Sequence, residues 1–190
     1  MVKVVIFDMD GTITRPCINW RKLRSELGID PDETIMDGIA NLQEPKRSWA
    51  LARLQAVEEE AARNSELNPG VLEVLALLKG LGIKVAVVTN NSRSSAQIML
   101  DKHLLEFDLV LTREEGEPKP SEELLLKTIS IMGISPSEAI FVGDGRYDLM
   151  AGKRAGIKTL ILNGPSASAV EQSYKITSLV ELQEYVKTKR

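Results

Sequence analysis

Asp8 and Asp10 stand two apart where the apolar run VKVVIF gives way to FDMDGT, and in extended backbone that spacing projects both carboxylates to the same side. Two carboxylates so close need a cation between or beside them to stay ionised together. Asp144 and Asp148, in FVGDGRYD, offer further oxygen ligands, and an all-oxygen set with no His or Cys nearby suits Mg²⁺ better than zinc. Gly11 lets the loop turn sharply and bring backbone N–H groups toward an anion. Thr89 adds a hydroxyl donor, and Lys119, between two prolines, a compact positive charge; both suit the equatorial oxygens of a transferring phosphoryl group. Together these residue types fit a phosphate ester held with a divalent cation. One carboxylate attacks phosphorus to give an aspartyl-phosphate, while its neighbour protonates the leaving oxygen and later activates water. Singly, each has a plainer reading, since an Asp at a strand end is usually a turn or N-cap residue. Their ordered recurrence favours the chemical one.

What must position them is a series of short apolar, β-branched runs alternating with segments of helical spacing, the pattern of crossover helices on a parallel sheet. The expected strands are Val2 to Phe7, Lys84 to Val88, Leu109 to Leu111, Ala139 to Val142 and Thr159 to Leu162. The expected helices between them are Gly70 to Lys79, Ser94 to His103, Ser121 to Met132 and Asp148 to Ala155. The fold class is therefore α/β, a Rossmann-like doubly wound parallel sheet, buried on both faces, and each acid above follows the carboxyl end of a strand, where such sheets bind ligands. From Arg15 to Asn68 no strand-like run occurs, while Ile18 to Leu27, Asp32 to Leu42 and Lys46 to Arg63 read as helices. This gives a core of residues 1–14 and 69–190 with a helical insertion of residues 15–68. Leu179 to Arg190 reads as a terminal amphipathic helix.

The composition narrows the function classes. With 190 residues, 43% of them hydrophobic and 27% charged, the chain is an ordinary globular one with room for a single sizeable core and a modest insertion. The net charge of −3 offers no global attraction for nucleic acid, so an anionic substrate needs a local site. The one cysteine, Cys17, forms no internal disulfide, and no run approaches the ~18 apolar residues of a membrane helix. A cytoplasmic protein without membrane or nucleic-acid partners is expected; the oligomeric state is not legible.

FDMDGTIT, VVTNNS, EPKPSEE and FVGDGRYD, in that order, resemble the four sequence motifs of the haloacid dehalogenase superfamily, and the likeness runs from about Val4 to Gly156 apart from the insertion. The resemblance implies Asp8 as nucleophile, Asp10 as general acid/base, Thr89 as phosphate-binding hydroxyl and Lys119 as the charge-neutralising amine. It implies Asp144 and Asp148 as acids of a Mg²⁺ site completed by Asp8 and by Asp10 through its backbone carbonyl, with N–H groups near Met9 and Asn90 on the phosphate. In this superfamily an insertion between the first two motifs forms a mobile helical cap that excludes water and recognises the leaving group, and a cap in that position implies a small soluble phosphate ester rather than a protein as substrate. KPSEELLLKTISIMGI is similar to the phosphoglycolate phosphatase branch, although Asn91 stands where that branch often has Lys and Gly145 where many members have Ser.

The expected activity is thus a Mg²⁺-dependent phosphatase. A phosphomutase shares the four motifs and is the alternative; a phospho-receiver domain also combines acids, a Thr and a Lys at strand ends, but lacks an insertion and an acid pair after the Lys. Asp10 argues against a dehalogenase, whose leaving halide needs no proton. Other residues receive modest readings: Gly143-x-Gly145 as a turn, His103 as a surface or capping residue, Cys17 as a small packed thiol, Trp20 and Trp49 as cap core or rim, and Glu58 to Glu60 as a solvated helix face. Arg15, Arg93 and Arg146 each lie within a few residues of a motif, so one of them could grip a substrate carboxylate or second phosphate, though surface arginines are common.

Overall fold

A computed structural model describes residues 1–164, 167, 171 and 175–188. Its sheet comprises β1 (Val4–Phe7), β2 (Lys84–Val88), β3 (Leu109–Leu111), β4 (Ala139–Gly143), β5 (Lys158–Leu162) and β6 (Lys175–Ile176), in the order β3-β2-β1-β4-β5-β6, all parallel. The chain runs outward from β1 to β3 and then returns to the other side of β1, so a crevice opens beyond the carboxyl ends of β1 and β4, where such sheets hold their ligands. The two-residue strand β6 was not expected from sequence, because two residues carry no readable period.

Both sheet faces are covered, which accounts for the continuous apolar runs. Val5, Phe7, Val87 and Val142 pack beneath α4 (Val71–Gly80), α5 (Arg93–His103) and α8 (Leu179–Thr188). The alternate residues Val4, Ile6, Ala86 and Phe141 face α6 (Glu123–Met132) and α7 (Arg146–Arg154). The last two residues of the expected terminal helix lie outside the described residues.

Residues 15–68 contain α1 (Trp20–Leu27), α2 (Ile35–Ala40) and α3 (Lys46–Asn64). Asn19 caps α1 by accepting from Lys22 N, and Thr34 caps α2 by accepting from Asp37 N. The three helices enclose a small core of their own: Leu23, Leu27, Ile29, Ile39, Ala50 and Leu54. Gly38 permits this, because a Cβ there would overlap Ile29. The segment joins the sheet through two adjacent connections, where Arg15 N donates to Glu66 O (2.8 Å) and Asn68 N to Ile13 O (2.9 Å). The Asn68 amide also donates to the carbonyls of Gly11, Thr12 and Thr14 at 2.9–3.1 Å, tying the end of the insertion to the loop that carries Asp10.

Candidate active site

The loop after β1 is built by its own backbone. Ile13 N and Thr14 N both donate to Met9 O, and Gly11 N donates to Thr14 O with Gly11 at φ +84°. A Cβ at Gly11 would overlap the Asp144 carboxylate, so both the turn and the approach of the loop after β4 require glycine. Gly143 has a similar role, since a Cβ there would strike Asp148.

These approaches bring Asp8, Asp144 and Asp148 together, with one carboxylate oxygen from each within 4.8 Å of the others. Asp148, in the first turn of α7, accepts from the N–H groups of Asp144 (3.1 Å) and Gly145 (3.0 Å), which fixes its orientation. Lys119 is buried between two of the acids, its Nζ 2.5 Å from Asp8 Oδ1 and 2.6 Å from Asp148 Oδ1, and donates also to Val88 O (3.1 Å). Burial opposes charge on Lys119, yet Asp148 and Asp8 together outweigh it and hold the ammonium above the usual lysine range. Burial likewise pushes the Asp8 carboxyl well above the ordinary aspartate value; Lys119 draws it back, while Asp148 and Asp144 push it further up. One ammonium among three acids thus leaves Asp8 short of positive charge, and a divalent cation fits this all-oxygen donor set.

Asp10 is arranged differently. Its carboxylate is outside the three-acid group: Oδ2 accepts from Asn91 Nδ2 (2.7 Å) and Oδ1 from Thr14 Oγ1 (3.2 Å). Burial raises its carboxyl above the ordinary value, with the Asn91 and Thr14 hydrogen bonds and the Lys119 charge offsetting part of the rise. A carboxyl shifted in that direction is suited to donating a proton. Asn91 therefore orients Asp10. Thr89, buried at the end of β2, accepts from Asn91 N through its hydroxyl (3.1 Å), and Asn90 pairs twice with the Lys119 backbone, Nδ2 to O and N to Oδ1, each at 2.8 Å.

All seven residues proposed from sequence (Asp8, Asp10, Thr89, Asn90, Lys119, Asp144 and Asp148) line one cleft of about 680 Å³ between the sheet edge and the insertion. Trp20, Arg24, Ile35 and Met36 form part of the opposite wall. Of the three arginines singled out, Arg146 reaches the cleft and lies over the Tyr147 ring at 4.9 Å. Arg15 faces Glu66 at 3.8 Å and Arg93 pairs with Glu115, both outside the cleft. Trp20 packs on the insertion core, whereas Trp49 is 48% exposed. His103, half-buried in the last turn of α5, sits with Nε2 2.8 Å from Ser65 Oγ, away from the site.

Two modest readings need correction. Cys17 is exposed rather than packed, because it lies in the irregular stretch before α1, with a long contact from Sγ to Ala61 O (3.8 Å). Glu58 is not part of a solvated face: it is 2% exposed, and α3 docks that side against the core while Glu60 faces outward. Burial pushes the Glu58 carboxyl up, and its bonds with Arg113 and Ser92 N recover part of the cost. Sequence reasoning also missed Arg24, whose place on the cleft wall depends on how α1 packs, and Arg113, which follows β3 without any motif around it.

The family model for haloacid dehalogenase-like hydrolases matches residues 2–156, and the chain belongs to that family. Phosphoglycolate phosphatase of Aquifex aeolicus is 32% identical over an alignment covering 84% of each chain. Pyrophosphatase PpaX of Bacillus cereus is 38% identical, with 83% of this chain and 82% of that protein covered. The crystal structure of a HAD phosphatase from Thermococcus onnurineus matches with a TM-score of 0.71 at 25% identity, over 97% of this chain and 98% of that one. No helix among the described residues is long and apolar enough to cross a membrane.

Proposed function

We propose that this protein is a Mg²⁺-dependent phosphatase that hydrolyses a small phosphate monoester through an aspartyl-phosphate on Asp8. The observation that carries the reading is the three-acid group of Asp8, Asp144 and Asp148 closed by Lys119, with Asp10 held separately by Asn91 and Thr14. In this reading the acids of that group would hold Mg²⁺ together with the Asp10 backbone carbonyl, and the ion would offset the negative charge of the phosphoryl group. Asp8 attacks phosphorus while Asp10 donates its proton to the leaving oxygen; Asp10 then takes a proton from the water that releases phosphate from Asp8. Lys119 and the Thr89 hydroxyl stabilise the phosphoryl oxygens, and Asn90 holds Lys119 through its backbone. Residues 15–68 act as the cap that excludes water and contacts the leaving group. The likeness to phosphatases and pyrophosphatases supports phosphoryl hydrolysis over the mutase alternative, which would pass the phosphoryl group to a sugar.

The test is phosphate release from a panel of small phosphate esters and inorganic pyrophosphate, with Mg²⁺ or with excess chelator. Release from at least one ester, lost in chelator, is the expected result. Undiminished turnover in chelator would overturn the metal assignment, and bisphosphate-dependent isomerisation of a sugar phosphate with negligible phosphate release would favour the mutase.

We infer further that the leaving group carries a second negative charge. Arg24 is half-buried on the cleft wall, its Nε donates to Glu33 O (3.4 Å), and among the described residues it has no carboxylate partner within ion-pair distance. Phosphoglycolate and pyrophosphate, which the relatives' names point to, both present such a charge. Arg24→Met is expected to lower kcat/KM for an anionic ester such as phosphoglycolate by about 10- to 100-fold, the worth of a charged hydrogen bond. Hydrolysis of p-nitrophenyl phosphate should change little. An equal loss on both esters would show that Arg24 does not read the leaving group.

A further inference from the structure

The buried carboxylate of Glu58 joins the insertion to the phosphate-binding side of the site through a connected set of bonds. Its Oε1 accepts from Arg113 NH1 at 2.5 Å, and its Oε2 from Ser92 N, at the N-cap of α5, at 3.3 Å. The same Arg113 NH1 donates to Asn90 O at 3.1 Å, and Arg113 N donates to Asn91 O at 3.3 Å. Asn90 in turn holds the Lys119 backbone from both sides, and Lys119 meets Asp8 and Asp148. Glu58, at the wall of the cleft, is 2% exposed and the Arg113 side chain 11%, so removing one leaves the other's buried charge uncompensated.

We propose that Glu58 is a positioning residue for phosphoryl transfer: from α3 it orders the Asn90–Ser92 loop, directly at Ser92 and through Arg113 at Asn90, and so sets the placement of Lys119. The inference rests on the phosphatase reading for its link to turnover, although the loop geometry stands without it. A carboxylate is required because both oxygens accept hydrogen bonds at once; a glutamine at this position accepts through its single carbonyl oxygen and presents an NH₂ group to the other donor. The loop carries Asn90 and Asn91, which align Lys119 and Asp10, so a small displacement there reaches two chemical groups together.

The test compares the unmodified protein with Glu58→Ala, Glu58→Gln and the double variant Glu58→Ala/Arg113→Met, all with Mg²⁺ present. Three quantities are measured: thermal midpoint, the Kd of inorganic phosphate by calorimetry, and kcat/KM on an ester that the unmodified protein hydrolyses. Glu58→Ala is expected to weaken phosphate binding and lower kcat/KM by about 10- to 100-fold, the usual cost of removing a supporting partner, with Glu58→Gln between it and the unmodified protein. The double variant removes both charges, so its thermal midpoint should recover toward the original while phosphate Kd and kcat/KM remain impaired. A double variant with unmodified phosphate affinity and kcat/KM would overturn the proposal and leave Glu58 as a purely structural ion pair. Absence of turnover in the unmodified protein would sink the phosphatase reading instead, and the phosphate Kd would still decide the positioning role.

Discussion

Asp8→Asn is expected to reduce phosphate release by at least about 10⁴-fold, the scale seen when a covalent nucleophile is removed, because a neutral amide does not attack phosphorus. The substitution is nearly isosteric. Its carbonyl oxygen still accepts from Lys119, and Lys119 keeps its second acid, Asp148, at 2.6 Å. The stability effect follows from the direction of the Asp8 shift. A carboxyl whose folded-state pKa is raised loses stability as pH rises through its unfolded and then its folded value, because the native state disfavours the charged form. The neutral amide escapes that cost, so the cation-free variant should melt no lower than the unmodified protein near neutral pH. Single-turnover phosphate release, the intact mass of the acid-quenched enzyme and the thermal midpoint check this. An aspartyl-phosphate forming at a comparable rate in the variant would remove Asp8 from the role of nucleophile.

Lys119→Met should combine loss of activity with a cation-dependent loss of stability. The ammonium bridges Asp8 and Asp148 from a buried position, and taking away one partner of a buried ionic group costs about 3–5 kcal/mol. The thioether suits the same volume beside Phe141, whose ring centre lies 5.3 Å from Lys119 Nζ, so packing loss adds little. Added Mg²⁺ should restore much of the thermal midpoint, since a cation bound by the native acids stabilises the fold by mass action. Activity should stay down by about 10²- to 10³-fold, because the proposed donor to the phosphoryl oxygens is gone. Melting curves and initial rates over a Mg²⁺ titration separate the two effects. Near-normal turnover at saturating Mg²⁺ would show that the ammonium serves folding alone.

The elements of the core are legible because their signals are local. Runs such as VVIF and VAVV are apolar on both faces, as a strand between two helical layers must be; the first is β1, shorter by two residues than the expected Val2 to Phe7, and the second makes up all of β2 but Lys84. Helix limits are less so: Asp32 to Leu42 reads as one periodic stretch, but the helix is confined to Ile35–Ala40 once Thr34 caps it. The strand-end acids are legible for the same local reason, since a residue following a parallel strand is delivered to the crevice edge whatever the rest of the chain does.

What the sequence determined by itself is therefore the fold class, the edge of the sheet where the cleft opens, and the residues Asp8, Asp10, Thr89, Asn90, Lys119, Asp144 and Asp148 that line it. Tertiary structure alone decided which side chains those residues meet. Spacing alone makes Asp8 and Asp10 a pair and the resemblance divides their roles, but neither names their partners: Asp8 joins Asp144 and Asp148 while Asp10 turns to Asn91, 81 positions away in the chain. Likewise three consecutive glutamates project about 100° apart on a helix, and nothing within that run says which one will face the protein. The docking of α3 selects Glu58, whose ion-pair partner Arg113 lies 55 residues further on beyond β3, brought beside the loop after β2 by the pairing of β2 with β3.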